Sequence, residues 1–260
     1  MSESRSMSPD SVTGAGDVFE DEGVEQAMVD GVQMWRNSQG ALHRGNDLPA
    51  VISPDGTHEY FMYGHRQRGG DKPAVIKPDG HQEWWMWGVI RREGDNPSII
   101  TADGERIWHV NGVVGRDMDL PAVETANEKR WYLNGVLGRR RGLPAIEKRD
   151  GTRMWYIQGV RDRDDDLPAI DSPTEQVWYI HGVIGRVGDK PSRVTRGGDQ
   201  YWYMDGMIDR GGDKPAVIHK DGTLEYRRYG LRHRTHGFAV VYPDGGGMYF
   251  LEGIRVPRLV

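Results

Sequence analysis

No cysteine occurs in the 260 residues. That excludes a disulfide framework and any thiolate metal site, and it fits a reducing compartment. Hydrophobic residues reach only 37%, too few for one thick core. No stretch approaches the roughly 18 apolar residues of a membrane-spanning helix, and the N-terminus lacks the charged-then-apolar pattern of a secretory signal. The expectation is an intracellular chain, neither secreted nor transmembrane. An excess of basic charge is also missing. The net charge is −5 with both signs well mixed, which argues against nucleic-acid binding through a broad basic surface. No helical periodicity is present.

Glycine, by contrast, is abundant at 36 residues, and it keeps a beat. Gly64, Gly88, Gly112, Gly135, Gly159, Gly182 and Gly206 follow one another at steps of 23 or 24. Proline does the same at Pro49, Pro73, Pro97, Pro121, Pro144, Pro168, Pro191 and Pro215. A strict period of this size means a stack of small units, none able to fold alone. Recurring residues therefore argue for architecture first and for chemistry second.

The unit from Leu120 to Arg139 serves as a specimen. Pro-Ala-Val opens a short extended run, with the Pro at a strand start where no ladder donor is needed. A turn follows, Asp-Gly in most units, as at Asp103-Gly104 and Asp150-Gly151. Next come the aromatic run Arg130-Trp131-Tyr132-Leu133 and a second turn, Asn134-Gly135. Asn-Gly and Asp-Gly supply positive φ and mark hairpins. The expected fold is all-β: an elongated, twisted antiparallel array of about ten β-hairpin repeats. Pairing units into the blades of a closed five-bladed propeller is the alternative, and the absence of odd–even alternation disfavours it. Residues 1–25, rich in Ser, Gly and acids, are expected to be a disordered acidic tail. The array should span 26–255, and 256–260 should form a C-terminal cap.

Alternation along the aromatic strand assigns faces. Trp84, Trp108, Trp131, Trp155, Trp178 and Trp202 should share a buried face with the aliphatic column two residues on, which includes Val110, Leu133, Ile157 and Ile180. Tyr132, Tyr156, Tyr179 and Tyr203 should point the other way, and they are the candidate interaction face for a protein partner or a second copy.

Units reading Trp131-Tyr132, Asn134-Gly135 and Arg139, or Trp108, Asn111-Gly112, Arg116 and Asp119-Leu120-Pro121-Ala122, resemble divergent MORN-like β-hairpin repeats. They look most like those of large DNA viruses of amoebae. The resemblance covers about residues 35–255. It implies an elongated hairpin array used in scaffolding, self-association or membrane-proximal attachment. A place in a viral particle or the host cytoplasm follows from it as an expectation.

One column carries chemistry. Arg92, Arg116, Arg139, Arg163, Arg186 and Arg210 each lie four residues after a turn glycine, and an acid stands three residues on, except at Gly142. Read structurally, the column is a ladder of ion pairs and Arg–aromatic stacks locking the loops. Read functionally, it is a row of cations for anionic lipid or phosphorylated partners. The regular acids favour the structural reading. His219, His233 and His236 do not repeat, lack Cys partners and read as surface residues. No nucleophile–base arrangement or nucleotide loop interrupts the pattern. No enzyme, cofactor or metal is expected.

Overall fold

The computed structural model describes residues 23–257. The unit containing Trp131 shows how the chain runs. Val123–Glu124 and Glu128–Arg130 pair as one hairpin. Trp131 follows, and then Tyr132–Leu133 and Val136–Leu137 pair as a second. Asn134 and Gly135, at φ +50° and +80°, close that second hairpin, the left-handed backbone that Asn-Gly favours.

The two hairpins have different neighbours. Arg130 pairs with Val123 of its own unit and with Ile146 of the next, while Ile107 of the previous unit pairs with Val123. Repeated along the chain, this makes one antiparallel sheet of 21 strands, and the second hairpins stand apart as eight two-stranded pieces. At about 4.8 Å per strand, the ladder runs roughly 90–100 Å. The sheet is not closed into a barrel, and strand pairing continues from unit to unit. The fold is the open array; the propeller is not formed. The described residues contain no helix, hence none long and apolar enough to cross a membrane.

The core is a thin seam along this array. Ala50, Ala74, Ala122, Ala145, Ala169, Ala216 and Ala239 are fully buried, with Ser98 and Ser192 taking the same place in two units. Each Ala carbonyl accepts the backbone N–H of the preceding unit's ring residue, as in Trp131 to Ala145 at 2.9 Å and Trp155 to Ala169 at 2.9 Å. A larger side chain has little room at a fully buried position in a close-packed seam. Trp84, Trp108, Trp131, Trp155, Trp178 and Trp202 are buried beside it.

Trp131 belongs to neither hairpin. It sits at the junction between them, where the chain leaves the long sheet. The alternation of faces therefore does not carry across it. Trp131 is buried, whereas Leu133 two residues on is exposed, as are Val110, Ile157, Ile180 and Met204. The shared Trp–aliphatic face expected from a period of two is thus corrected: the Trp half is core and the aliphatic half faces out.

The first unit also fits better than its spacing suggests. Trp35 lies one residue out of step with its turn Gly40, yet its N–H reaches the Ala50 carbonyl and Arg44 stacks on it at 3.7 Å. The extra residue is absorbed in the turn of Asn37–Gly40, where Asn37 Oδ1 accepts the N–H of Gln39 and Ala41. Ahead of this unit, Glu25–Val29 pairs with Val32–Arg36. Of the expected acidic tail, residues 1–22 lie outside the described residues, as do Arg258–Val260 of the cap. The last strand ends at Val256, immediately before Pro257.

Candidate interaction and anion-binding surfaces

Each joint between units is built from three side chains. The arginine of the column lies flat on the ring of its own unit. Nine such stacks, from Arg44 on Trp35 to Arg234 on Tyr226, put the guanidinium carbon 3.6–4.0 Å from the ring centroid. The Nε–Nη2 edge then grips an aspartate of the preceding unit with two bonds. Seven pairs form: Arg68–Asp47, Arg92–Asp71, Arg116–Asp95, Arg139–Asp119, Arg186–Asp166, Arg210–Asp189 and Arg234–Asp213, at 2.6–3.0 Å. The remaining nitrogen, Nη1, donates in most units to a carbonyl of its own loop, as from Arg116 to Pro121 at 3.3 Å.

In these seven pairs the partner of the arginine is therefore the acid of the preceding unit, not the acid three residues on in its own loop. The same loop residue also serves the tryptophan. Trp84 Nε1 donates to the Asp71 carbonyl at 3.0 Å and Trp131 Nε1 to that of Asp119 at 2.9 Å. A left-handed backbone, with φ between +53° and +57° at Asp71 and Asp119, aims both the carbonyl and the carboxylate at the next unit. Asp tolerates that conformation better than most residues.

The arginines are largely covered and the aspartates partly exposed, for example 13% against 59% in the Arg116–Asp95 pair. Stacked, bidentate arginine in this setting is a lock that suits neither lysine nor a bare charge. Asp47 titrates at about 2, chiefly because of the Arg68 hydrogen bonds; partial burial opposes them and Lys72 adds to them. Asp71, Asp95, Asp119 and Asp213 are lowered by the same arginine bonds. In Arg116 and Arg234 the aspartate raises the pKa in return. Arg92, Arg116, Arg139, Arg186 and Arg210 thus already hold carboxylates. Arg163 does not, because Gly142 stands where its aspartate would be.

The tyrosine column is half-buried. Tyr132, Tyr156, Tyr179 and Tyr203 sit on one side of the short hairpins, opposite Leu137, Arg161, Ile184 and Ile208. Two of the hydroxyls are engaged: Arg161 donates to Tyr156 at 2.8 Å and to Tyr179 at 3.4 Å. The fully open side of the same hairpins carries aliphatic pairs: Val110 with Val113, Leu133 with Val136, Ile157 with Val160, Ile180 with Val183 and Met204 with Met207. Five successive hairpins repeat this exposed pair.

The histidines are spread among local bonds. His233 Nδ1 accepts the N–H of Glu252, and His219 lies 3.5 Å from Glu225. Glu225 is the most enclosed carboxylate of the long sheet. Burial works to raise its pKa, but Arg232 and Arg227, each at 2.7 Å, hold it at about 2. Among the described residues no three His, Asp or Glu converge as a metal site. A groove of about 780 Å³ runs between two neighbouring loops, lined by Met118, Leu120, Tyr132, Leu133, Arg140 and Arg141. No family model matches the chain, and no curated protein matches it.

Proposed function

We propose that this chain is a non-enzymatic scaffolding or protein-interaction repeat protein, binding a protein partner or a second copy of itself along the short hairpins. One observation carries the reading. The joints use their charged and aromatic side chains on one another, and what the array then presents to solvent, five times over, is the same aliphatic pair. Contiguous exposed apolar stripes mark contact surfaces. A row with a fixed spacing suits a partner that is itself extended or repeated. The resemblance of the units to MORN-like repeats points the same way, toward assembly inside a cell or a viral particle.

Binding of anionic lipid through the whole arginine column is the weaker reading, because seven of the guanidiniums already hold an aspartate. The test is sedimentation of the purified chain over a wide concentration range, alone and with extracts of its source. A Leu133→Ser, Ile157→Ser double variant should lose association while remaining folded. Association that survives this variant but is abolished by Tyr132→Ser would return the contact to the tyrosine side. Salt-sensitive flotation on anionic vesicles by the wild type would favour the lipid reading.

A further inference from the structure

The joint between Gly142 and Arg163 lacks the aspartate that each of its seven sisters supplies. Trp155 Nε1 donates to the Gly142 carbonyl at 2.8 Å, as Trp84, Trp108, Trp131 and Trp178 donate to aspartate carbonyls. Arg163 lies on the Trp155 ring at 3.7 Å, and its Nη1 donates to the Pro168 carbonyl at 3.2 Å. Gly142 has the left-handed backbone of Asp47, Asp71, Asp119, Asp166 and Asp213, at φ +64°. The arginine is therefore posed like the others, with ring, carbonyl and backbone in place. Only the carboxylate is missing.

Nothing in the described chain substitutes for it. No carboxylate lies within ion-pair distance of Arg163. Asp171 acts on it only through space, and its own carboxylate accepts from Gln176 and Arg196. Asp162 accepts the backbone N–H of Arg163 and of His181. A Cβ built on Gly142 meets no atom within 4 Å. The surroundings are cationic as well: Arg140 and Arg141, in the same loop as Gly142, form no ion pair. Burial lowers the pKa of Arg163, the reverse of what aspartate does to Arg116 and Arg234.

We propose that the Nε–Nη2 edge of Arg163 is a carboxylate-binding socket filled from outside the chain by an aspartate or glutamate side chain of a protein partner. The seven sister joints show what the socket is cut for: two coplanar oxygens presented on a short stem, bonded side-on to a guanidinium that is already stacked and immobile. Such preorganisation leaves little side-chain entropy to be lost on binding. The inference stands on the geometry of this joint and is independent of the scaffold reading.

Gly142→Asp is the deciding variant. It supplies the missing carboxylate on a backbone that aspartate adopts at Asp71 and Asp119, so it should fold. Sodium acetate, titrated against sodium chloride at equal ionic strength, is the probe for the full-length protein. Expected is a saturable acetate-specific shift of the Arg163 Nε–Hε resonance, identified by its loss in Arg163→Lys, together with a rise in Tm. Both responses should vanish in Gly142→Asp, whose Tm without acetate should already exceed that of the wild type. Acetate responses of the same size in wild type and Gly142→Asp would overturn the socket, as would an Arg163 resonance indifferent to acetate. A response to inorganic phosphate equal to or larger than that to acetate would overturn the carboxylate assignment.

Discussion

The long sheet and the short hairpins are made by the same units, a few residues apart, and they are held together in different ways. In the sheet every strand is paired on both sides except at the ends, and the alanine and tryptophan columns are closed off from water. Successive hairpins share few backbone bonds, such as Gly135 N–H to the Val114 carbonyl at 3.1 Å and Gly159 N–H to that of Leu137 at 3.0 Å. They leave their aliphatic side chains exposed. Cohesion of the stack therefore belongs to the sheet and its tryptophan seam. The hairpin layer is carried by that seam and is free to present a surface.

The comparison is broken most severely at the seam. Trp131→Ala removes a buried indole together with the platform under Arg139 and should cost about 3–5 kcal/mol. Leu133→Ala, two residues away, should cost less than about 1 kcal/mol. Urea denaturation of the two variants checks this, and equal losses would erase the distinction between layers. Ala145→Leu comes next. The residue is fully buried, and its carbonyl is bonded to Trp131 N–H, so overpacking should cost about 1–3 kcal/mol in the same assay.

Within the hairpin layer the sensitive point is Gly135. Its φ is +80°, and an added Cβ would lie 2.6 Å from Val113 Cγ1 of the preceding hairpin. Gly135→Ala should lose about 1–2 kcal/mol through its backbone conformation, plus whatever the collision adds. Combining it with Val113→Ala should recover the collision part alone, which a double-mutant cycle reads directly. Exposed positions are milder still: Leu133→Ser and Ile157→Ser should each stay within about 0.5 kcal/mol of wild type while changing association.

The smallest effect at any one joint is electrostatic, and it appears only when all joints titrate together. Asp47 has its folded pKa depressed from 3.8 to about 2, and the other joint aspartates shift in the same direction. A depressed carboxylate contributes stability that is fully present above its unfolded pKa and is lost as pH falls through the folded one. Stability should be level above about pH 4 and fall from there toward pH 2. Circular dichroism melts across that range check it. High salt at neutral pH should weaken the joints only slightly, because the arginines are covered.

Much of this was legible in the residues. Asp-Gly and Asn-Gly at fixed steps demand hairpins, and Arg and Asp at fixed steps demand a repeated ion pair. The unit-to-unit direction of that pair was not legible, since Asp119 is nearer in sequence to Arg116, three residues before it, than to Arg139, which it binds. Nor did alternation reveal which side of Leu133 faces out, because the chain turns at Trp131 and a period of two holds only within one strand. The alanine column was not legible as core either, although Ala after Pro recurs in most units. A small residue signals close approach only once the strand stacked against it is known.

The period, the turns, the all-β class and the arginine ladder were determined by the sequence alone, because each rests on local backbone preference or on a spacing that repeats. Which acid meets which arginine, which aliphatics stay in water, and that one arginine stands over a glycine were decided only by the stacking of units. Those contacts join residues about 20 positions apart, and no local preference carries information across that distance.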